Sequence, residues 1–158
     1  MHQVFLGLGT NLGDKEANLK AAIEEITKRV GKVTSLSAFY VTEPWGFHSD
    51  HSFLNAVCCI QTEKTPFEVL SLTQEIERTL GRTQKSVNGC YNDRMIDIDI
   101  LLFDRLSIHT PELTIPHPLM LERDFVMKPL EEIAPEIVQY LKSDYFVEIH
   151  PPLIFLFS

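Results

Sequence analysis

The sequence predicts an α+β chain with a mostly antiparallel sheet and helices packed on it, on three observations. Strand-like apolar runs fall at 3–9, 33–41, 53–62 and 95–103. Two segments between them read as helices, the first carrying apolar residues at Leu19, Ala22, Ile23, Ile26 and Val30, the spacing of one helical face. The resulting order, β-α-β-β-α-β, is that of a ferredoxin-like layout built from two βαβ-like halves, a three-layer α/β/α arrangement.

Each element has its own signal. Residues 3–9 form a buried strand. The segment 9–14, Gly-Thr-Asn-Leu-Gly-Asp, reads as a turn in which Asn11 or Asp14 caps the helix over 15–30, and Gly31 stops that helix. Pro66 suits the first position of the second helix, which is expected to run to about Leu80 and end at Gly81. Residues 82–93 are polar and read as a loop. After the strand at 95–103, a short strand is expected near 113–115, then helical pieces at 118–123 and about 125–133. No element is assigned beyond Pro135. With 158 residues and no repeat, low-complexity stretch or linker, the chain is expected to be a single domain over 1–158.

Composition narrows the function. The formal net charge of -8 argues against a general nucleic-acid binder, which needs a basic face to displace counterions. Cys58 and Cys59 are adjacent, so they face opposite sides of a strand and do not share a disulfide. No CxxC pair occurs, and a reducing cytoplasm is expected. The chain opens on a strand without a signal-peptide pattern. Its longest apolar run, 153–157, is far short of the roughly 20 residues that span a bilayer.

The most informative stretch is Asp97-Ile98-Asp99-Ile100-Leu101-Leu102-Phe103. Strand residues two apart share a face and lie roughly 6.5–7 Å apart. Ile98, Ile100 and Leu102 are therefore expected to face the core, and Asp97 and Asp99 to face the other way together. Adjacent carboxylates repel, and a hard divalent cation resolves the conflict. A charged strand face that blocks aggregation fits the pair equally well. Arg94, Arg82 and Lys85 before the strand, with His117 and Arg123 after it, favour a metal-bound polyphosphate.

A second cluster lies at 42–55, where the chain's single Trp sits with Phe47 and Phe53. Phe53 and Asn55 share a strand face, and a buried amide needs partners. A flat heteroaromatic ring fits such a site, and so does an ordinary aromatic core in which Asn55 bonds the loop backbone. His48 and His51 lack a third ligand nearby and read as an exposed loop. Gly7-x-Gly9 departs from the dinucleotide fingerprint and reads as a turn. No Walker A sequence or protein-kinase signature occurs.

Taken in order, these segments resemble the 6-hydroxymethyl-7,8-dihydropterin pyrophosphokinase family over about 4–135. The markers are Gly9-Thr10-Asn11-Leu12-Gly13, Tyr40-x-Thr42-x-Pro44, Phe53-Leu54-Asn55, Glu77-x-x-x-Gly81-Arg82, and Asp93-Arg94-x-Ile96-Asp97-Ile98-Asp99-Ile100. Pro116-His117-Pro118 and Arg123-x-Phe125 complete the set. The resemblance implies transfer of pyrophosphate from ATP to a pterin's hydroxymethyl group, with release of AMP. It implies that Asp97 and Asp99 hold two Mg²⁺ ions on the triphosphate. Thr42, Pro44, Trp45, Phe53, Asn55 and Phe125 match the family's pterin pocket, with Asp97 beside it and the ring between Phe53 and Phe125. Gln74, Glu77, Arg82, Arg94, Ile98, Thr114, His117 and Arg123 match the nucleotide side, and Lys85 and Tyr91 are expected there too. Arg82 and Arg94 join Asp97 and Asp99 as catalytic residues, with 82–93 closing as a lid.

The sequence departs from the family at Gln84, which replaces a second loop arginine, at Tyr91, which replaces a Trp, and in a loop about two residues longer than in the shorter bacterial members. The expected partners are small molecules, without nucleic acid or membrane, and the chain is expected to be a monomer. The rival readings are a non-catalytic effector-binding module and an ordinary kinase that moves the γ-phosphoryl group.

Overall fold

The structure, a computed structural model, describes residues 1–42, 52–81, 95–143 and 146. Along the chain, strand β1 (His2–Thr10) leads to helix α1 (Lys15–Arg29), strands β2 (Lys32–Leu36), β3 (Tyr40–Thr42) and β4 (Phe53–Thr62), and helix α2 (Pro66–Gly81). Strand β5 (Asp97–Phe103) is followed by the short pair β6 (Ile108–His109) and β7 (Thr114–Ile115), a single 3₁₀ turn (Met120–Glu122), and helices α3 (Asp124–Ile133) and α4 (Pro135–Leu141).

The described residues form a five-stranded sheet in the order β2–β4–β1–β5, with β3 continuing the β2 edge of β4. All of its ladders are antiparallel. This is the ferredoxin-like order, in which each of α1 and α2 joins two strands that have a third between them. Helix α1 starts where Asp14 accepts the Ala17 N–H at 3.1 Å. Thr65 and Glu68 cap α2 reciprocally, each side chain accepting the other's backbone N–H.

Alternation along the strands divides the core in two. Val4, Leu6 and Leu8 of β1 pack with Leu19, Ala22 and Ile26 of α1 and with Val69 and Ile76 of α2. On the other side, Phe5, Val57 and Cys59 pack with Val126 and Leu130 of α3 and Val138 of α4. The sheet is therefore the middle of three layers. Cys58 and Cys59 fall into opposite layers, and both are free thiols. Burial pushes the Cys58 thiol up to about 12, so it stays protonated at neutral pH.

Four sequence expectations change. The strand expected over 33–41 is two strands: buried Ser37 donates its N–H to Val57 O and accepts the Val57 N–H on its hydroxyl, and the chain leaves the edge there. Leu102 does not share a face with Ile98 and Ile100. The β1–β5 register shifts between Phe5, opposite Leu102, and Leu6, opposite Ile100, so Leu101 and Leu102 both enter the α3–α4 layer while Phe103 returns to the α1–α2 layer. The turn read from Gly7-x-Gly9 and over 9–14 begins only at 11: Gly7 and Gly9 lie within β1, as the strand expected over 3–9 has them, and Gly13 has a φ of 64°. Pro135, beyond which the sequence assigns no element, is the first residue of α4.

Candidate active site

Asp97 and Asp99 begin β5, and cross-strand pairing sets what lies beside them. Asp97 is opposite Gly9 and Asp99 opposite Gly7. On the other side of β1, Gly9 is opposite Asn55 and Gly7 opposite Val57. Because directly opposed residues share a face, the carboxylates, the two glycines, Asn55 and Phe53 all lie on the α3 side of the sheet. The glycines keep that floor low. A Cβ on Gly9 would come within 3.1 Å of Asn55 Oδ1 and 3.8 Å of Phe53 Cδ1.

A cavity of about 660 Å³ opens above this floor. Thr42, Phe53, Asn55, Asp97 and Phe125 all line it, as does Arg123, whose guanidinium lies 5.5 Å from the Phe125 ring centre. Asn55 is buried, and its Nδ2 donates to Thr42 Oγ1 at 2.8 Å. The buried amide is thus answered by a side chain on β3 rather than by loop backbone.

A second cavity of about 340 Å³ lies at the beginning of β5, lined by Gln74 and Glu77 of α2, Ile98, Thr114 and His117. Asp97 and Asp99 line both cavities, so the carboxylate pair forms their common wall. Glu77 Oε2 accepts the Ile98 N–H at 2.8 Å, tying α2 to β5. Burial drives the Glu77 carboxyl up to about 7; the Ile98 N–H opposes this, and Asp97 and Asp99 add to it. His117 is held below the ordinary histidine range by burial and then by Arg123, against the pull of Asp97. Its ring is therefore neutral at pH 7. Its Nδ1 accepts the Leu119 N–H at 3.4 Å, which leaves the ring proton on Nε2 as a donor.

Among the described residues no group of three or more His, Cys, Asp or Glu side chains forms a metal cage. The donor set is instead two carboxylates open to two cavities, with a third carboxyl at Glu77 whose ionisation is pushed up to about 7. That set fits Mg²⁺, which usually takes one or two protein carboxylates and fills its remaining positions with water and phosphate oxygens.

Pro44, Trp45, Arg82, Lys85, Tyr91 and Arg94 lie outside the described residues, as do Gln84, Cys90, the histidines at 48 and 51, and the tail after 146. Two features of the larger cavity escaped the sequence reading. Gly7 and Gly9 form its floor, and their spacing of two within a strand was the available signal. Glu122 and Asp124 stand at its rim, with nothing in their immediate sequence to mark them.

The family model for 7,8-dihydro-6-hydroxymethylpterin-pyrophosphokinase matches residues 5–135. The chain belongs to this family. A 2-amino-4-hydroxy-6-hydroxymethyldihydropteridine pyrophosphokinase of Porphyromonas gingivalis is 55% identical over 133 residues, covering 84% of this chain and 90% of the relative. The enzyme of the same name from Bacillus subtilis is 42% identical over 134 residues, covering 84% of this chain and 78% of the relative. Among solved structures, Plasmodium falciparum HPPK-DHPS with STZ-DHP shares the fold with a TM-score of 0.68 at 16% identity. That match covers 85% of this chain and 40% of the Plasmodium one, so this chain spans about two fifths of that fused protein. Among the described residues, no helix is long and apolar enough to cross a membrane.

Proposed function

We propose that the larger cavity takes the pterin and the smaller one ATP, and that Asp97 and Asp99 hold two Mg²⁺ ions where the two meet. The activity is pyrophosphate transfer from ATP to the hydroxymethyl group of 6-hydroxymethyl-7,8-dihydropterin, a step of folate biosynthesis. The single observation that carries the site assignment is the shared carboxylate wall between one cavity lined by aromatic residues of two elements and one polar cavity.

The chain's own residues position the reactants. Phe53 and Phe125 offer aromatic faces to a flat ring, and the Asn55 amide, held by Thr42, reads its edge. Neutral His117 offers a donor to a phosphate oxygen without adding a proton to be lost. Glu77 fixes the backbone at Ile98 and thereby the start of the strand that carries both aspartates. When bound, Mg²⁺ offsets phosphate charge and orients the triphosphate. The hydroxyl oxygen of the pterin forms a bond to the β-phosphorus in line with the breaking bond to the α–β bridging oxygen, and AMP departs with that oxygen. Arg82 and Arg94 neutralise the charge on the departing AMP, by resemblance to the family, with Lys85 and Tyr91 on the same side. Asp97 assists loss of the hydroxyl proton, weakly, because a metal-bound carboxylate is a poor base. The chain acts as a single monomeric domain over 1–158 in the cytoplasm, without nucleic-acid or membrane partners.

Incubation with Mg·ATP and the hydroxymethyl pterin, followed by nucleotide analysis, tests this reading. AMP formation that stops with EDTA and returns with Mg²⁺ supports it. ADP would point to γ-phosphoryl transfer, and absence of turnover to a binding module.

A further inference from the structure

The strand that supplies Thr42 is only three residues long, and its ladder partner is β4 on one side. Tyr40 is opposite Asn55 and Thr42 opposite Phe53, so the side chains of Tyr40 and Thr42 share the face of the larger cavity. Val41 points the other way and is 65% exposed. A three-residue edge strand needs a further anchor to hold Thr42 still, and among the described residues its one ladder is with β4.

The anchor comes from α3. Glu132 places one carboxylate oxygen on the Ala38 N–H at 2.9 Å, and its other oxygen accepts the Tyr40 hydroxyl. Both oxygens are engaged, by donors on either side of Phe39, so the bond pair sets both distance and orientation. The Tyr40 hydroxyl is pushed above the ordinary tyrosine range, chiefly by this hydrogen bond, and stays a proton donor at neutral pH. The same helix carries Phe125 near its start. Phe125 and Glu132 are seven residues apart, two turns or about 10.5 Å along one helical face. One helix therefore presents an aromatic wall of the cavity at one end and grips the opposing strand at the other.

We propose that the Ala38–Tyr40–Glu132 clamp is a positioning device for the pterin slot: it sets how far Phe125 on α3 stands from Phe53 and Asn55 on β4 and holds Thr42 against Asn55. Tyr40 and Glu132 act through these residues and do not touch substrate. The inference rests on the larger cavity being the pterin site.

Steady-state kinetics in both substrates test it, with Tyr40→Phe, Glu132→Ala, Glu132→Gln and the Tyr40→Phe/Glu132→Ala double variant. The expected result is a rise of about threefold to tenfold in the pterin KM, with kcat within about twofold and the ATP KM unchanged. Glu132→Gln keeps an acceptor oxygen and falls between wild type and Glu132→Ala. The double variant is no worse than Glu132→Ala, because the two residues make one bond. An unchanged pterin KM in the single variants, an equal rise in both KM values, or additive effects would overturn the clamp. Phe53→Ala in the same series separates the two claims. If it raises the pterin KM while the clamp variants do not, the clamp fails and the cavity assignment stands. If it too leaves the pterin KM unchanged, the cavity assignment fails and takes the clamp with it.

Discussion

The two cavities on either side of Asp97 and Asp99 are built by opposite means. The larger one is complete as a shape. Glycines keep its floor low, aromatic residues stand on two elements, and the buried Asn55 amide already has its partner. The smaller one is defined by charge: two aspartates and Glu77 lie together, and Glu77 holds its proton up to about pH 7. A cavity of the first kind discriminates by fit and loses affinity when its walls move. On the proposed assignment, a cavity of the second kind would be made ready by the cation that arrives with the nucleotide, and its variants would fail in catalysis more than in shape.

Breaking the common wall has the largest expected effect. Asp97→Asn and Asp99→Asn should each lower kcat/KM on the order of 10³-fold, with an unchanged circular dichroism spectrum, since both side chains are partly exposed and outside the packed core. Removing one wall of the larger cavity comes next. Phe125→Ala should raise the pterin KM about 10- to 50-fold and leave the ATP KM within about twofold, as measured by varying each substrate in turn. A subtler change sharpens the claim that shape rules this side: Gly9→Ala puts a methyl group against Asn55 Oδ1 and should raise the pterin KM roughly fivefold, with little effect on ATP.

The smallest effect belongs to a residue remote from both cavities. Thr65→Ala should cost about 1 kcal/mol of stability in denaturant unfolding while both KM values hold. The Glu68 carboxyl of that cap is held below its ordinary range by the Thr65 N–H and hydroxyl. Its contribution is therefore present above the ordinary glutamate range and lost as pH falls through the lowered value.

What the sequence made legible follows from which signals are local. Asp97 and Asp99 stood out because two charges at spacing two interrupt an apolar strand, and that reading needs no knowledge of neighbours. The bulge that turns Leu102 to the other layer was hidden, since it arises in the pairing of β5 with β1 and not in β5 itself. Gly7 and Gly9 fall inside the strand expected over 3–9, but their role is hidden in the sequence because glycine carries no side chain to report which way a strand faces; only the register against Asn55 and Asp97 gives them one. The tie between Tyr40 and Glu132 spans 92 residues and joins two exposed polar groups that no periodicity links. Helix α4 was missed because a proline that stops one helix can equally start the next.

The central claim is that one carboxylate pair serves both cavities by holding two metal ions on the nucleotide. Titration of Mn²⁺ into the protein with a non-hydrolysable ATP analogue, followed by electron paramagnetic resonance, tests it directly. The account predicts two bound Mn²⁺ per chain, magnetically coupled, and loss of both or of the tighter one in Asp97→Asn and Asp99→Asn. Two ions bound with undiminished affinity in those variants would contradict it.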